Sequence, residues 1–120
     1  MILIDTSVWI LHFRQSSPEL TRLLNEGDVL CHEFVIGELA CGNLKNRKEI
    51  LNLLQTLPKT QSTSFEETLF FIERKNLTGT GIGFIDAHLL ASAQLSKSKL
   101  WSLDKMLQQA ALKLHLNYHG

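Results

Sequence analysis

Cysteine, proline and tyrosine are scarce, with two, two and one among 120 residues. Two cysteines, Cys31 and Cys41, make no disulfide framework, and their separation matches no zinc-ligand pattern. Both read as small buried hydrophobes. No apolar run approaches the roughly 20 residues that a bilayer-crossing helix requires, so a membrane role is not expected. The opening Met1–Ile4 has no basic flank, and Asp5 interrupts it before a signal-peptide core can form, which gives a cytoplasmic protein as the expectation. Charge of one sign is also missing, since twelve Lys and Arg balance twelve Asp and Glu. A passive nucleic-acid-binding module is normally markedly basic, so this balance counts against one. It counts less against an enzyme that concentrates negative charge in one site: setting aside Asp5, Glu38, Asp86 and Asp104 leaves eight acids against twelve bases.

What is present is an ordinary globular composition, 44% apolar and 20% charged, in a length that fits one domain over residues 1–120. Residues 1–5 read as a buried strand, and Thr6-Ser7 as the start of a helix through Trp9 and Phe13. Ser17-Pro18 starts a second helix, which Gly27 stops. A strand at 29–31, a helix at 34–41, a break at Gly42-Asn43 and a helix from Arg47 to about Leu57 follow, ended by Pro58. Lys59–Thr63 reads as a short polar strand, and Ser64 with Glu67 as a capping box for a helix reaching Arg74. Thr78–Gly83, with three glycines, is a loop. Helices over 84–95 and 104–113 then bracket a strand at 100–103, and 114–118 is a last strand. Strands separated by helices give an α/β domain with a mainly parallel sheet.

The chain has four aspartates, and two of them, Asp5 and Asp104, directly follow apolar strand runs. In open α/β sheets the carboxyl ends of strands border the ligand crevice, so acids there face the functional cleft, although either could simply cap the next helix. Asp86 shares a helical face with Leu89, Leu90 and Ala93, an apolar stripe where an ionised carboxylate needs a compensating partner such as a divalent cation. Glu38 lies in a helix that is apolar all round, with Phe34 and Val35 one turn before it, and raises the same demand. Four carboxylates without accompanying Cys or His make a hard oxygen donor set, suited to Mg²⁺ or Mn²⁺ and to phosphodiester hydrolysis.

The motifs Leu3-Ile-Asp5-Thr-Ser-Val-Trp-Ile10, Glu38-Leu-Ala-Cys-Gly42, Ile85-Asp86-Ala-His and Leu100-Trp-Ser-Leu-Asp104, taken in order, resemble those of the PIN-domain ribonucleases, specifically VapC-type toxins of prokaryotic toxin–antitoxin pairs. The resemblance covers essentially the whole chain. It implies a PIN-like three-layer sandwich with a central, mainly parallel five-stranded sheet flanked by helices. It further implies an Mg²⁺ or Mn²⁺ endoribonuclease site made of Asp5, Glu38, Asp86 and Asp104, a homodimer, an RNA substrate and an inhibiting cognate antitoxin. Ser102 matches a Thr or Ser that often precedes the fourth acid by two residues and orients ligands or water. Thr6 and Ser7 are candidates for the same work, which helix capping explains equally well. Many members carry another aspartate two positions after the fourth acid; this chain has Met106 there, which points to one well-held ion and at most a second that binds with substrate.

His88 lies two residues from Asp86 but ~160° away around a helix, so it is not expected to be a general base. Trp9 and Trp101 read as core residues in preference to base-stacking platforms. Arg14, Lys45, Arg47, Lys48, Lys97, Lys99 and Lys105 are eligible for phosphate contact. The glycines at 79, 81 and 83 lack the Lys-Ser/Thr of a P-loop. The competing readings are a catalytically silent PIN scaffold that binds RNA or protein, and a phosphoacceptor receiver domain. A receiver needs an adjacent acidic pair after its first strand, whereas Asp5 is followed by Thr-Ser.

Overall fold

The computed structural model describes residues 1–119. The chain runs β1 (Ile2–Ile4), α1 (Thr6–Gln15), α2 (Pro18–Asn25), β2 (Val29–Leu30), α3 (Glu33–Cys41), α4 (Arg47–Thr56), α5 (Phe65–Arg74), α6 (Phe84–Leu95), β3 (Lys99–Trp101) and α7 (Lys105–Lys113). Local chemistry sets several of these boundaries. The Ser17 hydroxyl accepts from Leu20 N ahead of Pro18, and Ser64 and Glu67 close a reciprocal capping box on α5, each satisfying N–H groups that a helix start leaves orphaned. His32 caps α3 in the same way, its Nδ1 accepting from Phe34 N at 3.0 Å.

The sheet has the order β2-β1-β3, all parallel. Successive residues of a strand point to opposite faces, and Leu3 and Ile4 in the central strand are both 0% exposed, so both faces of the sheet are covered. The strands feed one core in which Leu20, Val35, Leu89, Leu90, Leu100 and Leu107 are also buried. Trp9 joins this core stacked on Phe13, while Trp101 is half-buried beside Tyr118.

Three ladder strands are formed among the described residues, where five were expected. The two remaining segments do lie at the sheet edges, each held at a single parallel bridge, Cys31 to Lys59 and Leu100 to Asn117. Pairing stops after Thr60 because the next residues, Gln61 to Ser64, are polar and offer no apolar face to bury. At the other edge, Leu100 exchanges hydrogen bonds with Leu116 and Tyr118 around the single bridge to Asn117. The two cysteines also part company: Cys31 is fully buried, but Cys41 is exposed because it ends α3 on the side away from Val35 and Leu39.

Candidate functional site

The register of β1 against β3 pairs Ile4 with Trp101, and Asp5 N donates to Trp101 O at 2.9 Å. The next residue on each strand is therefore placed side by side at the carboxyl edge of the sheet. Ser102 Oγ donates to Asp5 Oδ2 at 2.7 Å, and Ser7 Oγ donates to the same oxygen at 2.7 Å. Asp5 precedes α1 but makes no side-chain cap to it. Asp5 is 6% exposed, and its carboxylate is held by two hydroxyls, one of them in the first turn of α1, while capping no backbone N–H of that helix.

The hydroxyls are fixed in turn. Ser7 Oγ accepts from Leu103 N at 3.0 Å, and Ser102 Oγ accepts from Asp104 N at 3.0 Å. Gln108 Nε2 donates to Ser102 O at 2.7 Å. This network ties the β1–α1 turn to the β3–α7 turn and so sets Asp104 beside Asp5. Asp104 Oδ1 caps α7 by accepting from Leu107 N at 3.1 Å. On the other side, Thr6 Oγ1 donates to Glu38 Oε1 at 2.7 Å, linking α1 to α3. Asp86 Oδ2 accepts from Gly83 N at 3.3 Å at the start of α6.

All four carboxylates thus spend one oxygen on an internal donor and keep the other without a hydrogen-bond partner among the described residues. None is ion-paired: the salt bridges among the described residues are those of Arg22 with Glu19 and Glu26. Burial pushes the Asp86 carboxyl above its ordinary value, the Gly83 hydrogen bond opposes this, and the negative charges of Asp5, Asp104 and Glu38 push it up further. Three separate acids acting on a fourth place the set in one electrostatic neighbourhood. No three His, Cys, Asp or Glu side chains among the described residues stand at coordination spacing. The donor set fits a hard divalent cation: oxygen only, anionic, with a free oxygen on each acid.

These side chains occur in a chain whose residues 2–113 match the PIN domain family model. The chain belongs to the PIN-domain family. Over 111 residues, 92% of this chain and 90% of the relative, it is 42% identical to Ribonuclease VapC32 of Mycobacterium tuberculosis, with the same figures for strains CDC 1551 / Oshkosh and ATCC 25618 / H37Rv. Among solved structures, PAE2754 from Pyrobaculum aerophilum superposes with a TM-score of 0.62 at 15% identity, covering 96% of this chain and 88% of the other. The structure of FitAB bound to an IR36 DNA fragment gives 0.59 at 16% identity, covering 100% of each chain. The PIN fold is common to all of these.

Within this PIN domain the environments of the acids differ from those expected. Glu38 is exposed, not buried among apolar residues, because α3 turns Val35 and Leu39 inward and leaves Gly37 and Glu38 outward. Asp86 is half-buried, and a backbone cap accounts for one of its oxygens. Asp5 is instead the acid most fully removed from water. Met106, at the position where the resemblance leads to the expectation of a further acid, packs on the glycine loop: a Cβ built on Gly81, whose φ is +87°, would lie 3.0 Å from Met106 Sδ. His88 faces away from the acids, with Nδ1 3.2 Å from Thr68 Oγ1 and its ring edge-on to Phe34 and Phe84. Gln108 was not foreseen; its one sequence signal is a position one turn after Asp104, on the same helical face.

Proposed function

We propose that this PIN domain, acting as one unit over the whole chain, is an Mg²⁺- or Mn²⁺-dependent endoribonuclease and the toxin of a type II toxin–antitoxin pair. The observation that carries the reading is that the charges of Asp5, Asp104 and Glu38 act on Asp86 while none of the four forms an ion pair among the described residues. Four unpaired carboxylates repel one another, and a protein retains such an arrangement where a bound cation offsets it. The relatives named Ribonuclease VapC32 support RNA as the substrate.

Asp5, Glu38, Asp86 and Asp104 would hold the ion, each with its uncommitted oxygen. When bound, the ion supplies positive charge to the scissile phosphate and acidity to an attacking water, giving 5′-phosphate and 3′-hydroxyl products. The chain's own work is orientation. Ser7 and Ser102 fix Asp5, Thr6 fixes Glu38, and Gln108 holds the turn that carries Ser102 and Asp104. A cognate antitoxin, a homodimer and a cytoplasmic setting belong to the same proposal. Among the described residues no helix is long and apolar enough to cross a membrane.

The test is cleavage of RNA by antitoxin-free protein. Mg²⁺ or Mn²⁺ should support cutting and a chelator should stop it. Wild-type rates from Asp5→Asn would overturn the assignment, and sound metal binding without cleavage would favour a silent scaffold.

A further inference from the structure

A cleft of about 700 Å³ opens beside Glu38, between α1 and the segment that joins α3 to α4. That volume is within the range of ligand-binding clefts, about 300 to 1,000 Å³. Ile10, Phe13 and Leu39 line its apolar part, and Arg14 and Lys45 supply two cations. Thr6, Ile10 and Arg14 are spaced four residues apart, so they follow one face of α1 away from the site. Thr6 holds Glu38 at one end of this line, and Arg14 stands ~12 Å further along the axis.

The cations near the site are not equivalent. Arg47 is committed, its Nε and Nη2 donating to Ala40 O at 3.1 and 2.9 Å, which clamps the α3–α4 connection against the end of α3. Arg14 and Lys45 are exposed and have neither a hydrogen-bond nor an ion-pair partner among the described residues. Asn46 also lines the cleft. It occupies the left-handed region at φ 53° and heads α4 without a side-chain cap, leaving its amide available for a polar ligand.

We infer that this cleft is the track for the RNA strand next to the scissile phosphate, with Arg14 and Lys45 gripping backbone phosphates and the Ile10–Phe13–Leu39 floor receiving a base. The inference rests on the ribonuclease reading and assigns its substrate contacts. An apolar floor with flanking cations is the arrangement that single-stranded nucleic acid uses, a base against hydrophobic surface and phosphates on positive charge. Arg47 is a positioning residue, acting through the connection that carries Lys45.

The test compares wild type, Arg14→Gln/Lys45→Gln, and the charge-matched Arg74→Gln/Lys75→Gln, whose residues line a different groove on α5, in steady-state cleavage of an unstructured single-stranded RNA. Losing two phosphate contacts should raise KM on the order of tenfold with kcat held within about twofold, and should lower the salt slope of log(kcat/KM) by about 1.4. The control pair should change neither. Equal effects from both pairs, or an unchanged KM and salt slope in Arg14→Gln/Lys45→Gln, would overturn the inference while leaving the ribonuclease reading intact. Unaltered RNA kinetics with lost poly-glutamate binding would reassign the cations to an acidic protein partner. Failure of the wild type to cut any RNA removes the ribonuclease reading itself, and the inference with it.

Discussion

Ser102 donates a 2.7 Å hydrogen bond to Asp5 Oδ2 while accepting one from the backbone of Asp104, so a single hydroxyl couples two proposed ligands that are 99 positions apart. Ser102 is 4% exposed, and only a hydroxyl at its position can both donate to one acid and accept from the other's backbone. Ser102→Ala should leave the fold intact and weaken divalent-ion affinity or activity by about 10- to 100-fold, the usual effect of removing a group that orients a ligand. Calorimetric titration with Mn²⁺ beside cleavage rates at varied Mg²⁺ reads this out. Ser102→Thr, which keeps the hydroxyl, should restore most of the loss.

The two thiols should behave oppositely. Burial pushes the Cys31 thiol up to about 11, and it is 0% exposed, so little thiolate is available and reagents cannot reach it. Cys41 is exposed. An aromatic disulfide reagent at pH 8 should therefore modify one thiol in native protein and a second only after denaturant. Rapid native modification of Cys31→Ser protein but not Cys41→Ser protein is the expected pattern.

The order of strands and helices was legible because most boundaries are set by local chemistry: Ser17-Pro18, the Ser64–Glu67 box, Gly27 and Pro58 act within a turn of themselves. The edge of the sheet was not, since whether 59–63 and 114–118 become strands depends on neighbours distant in sequence, and each obtains one bridge. For the acids, residue type and spacing were informative but burial was not. Helical periodicity treats Glu38 as enclosed by Phe34 and Val35, yet only tertiary packing decides which side of an all-apolar helix is covered. In α3 it is the Val35–Leu39 side. The position of Asp5 ahead of a helix suits a cap, and only the β1–β3 register reveals that its carboxylate turns to Ser102 instead.

Acid should loosen the helix that carries Glu38. Because Phe34 N donates to His32 Nδ1, that nitrogen is the acceptor, and the proton resides on Nε2, which faces Ser92 Oγ at 3.1 Å. Burial lowers the His32 pKa below its ordinary 6.5, with nearby Glu33 opposing and His88 reinforcing the shift. The folded state thus binds a proton less readily than the unfolded chain. The stability His32 contributes is present above about pH 6.5 and is lost as pH falls toward its folded value. Urea midpoints should decline from pH 7.5 to 5.5, and His32→Asn, which retains a capping acceptor but does not titrate, should flatten that decline. His12 and His88, also lowered by burial, contribute to the same slope and set what remains of it in the variant.

Function and stability should oppose each other at Asp86. Its carboxylate is disfavoured by burial and by the charges of Asp5, Asp104 and Glu38, so Asp86→Asn relieves repulsion while leaving an acceptor for Gly83 N. In chelator the variant should melt above the wild type, because the site's strain is retained for activity and not for folding. Added Mg²⁺ should reverse the ranking. A ligand at a hundredfold excess over its Kd stabilises the state that binds it by about 2.7 kcal/mol, a gain open to the wild type and much reduced in the variant. Melting curves with chelator and with Mg²⁺, set beside RNA cleavage, give three readings whose signs are fixed in advance: higher Tm without metal, smaller rise with it, and loss of cutting. A variant that melts lower in chelator would show that Asp86 is a structural cap first, and would move the weight of the site to Asp5, Glu38 and Asp104.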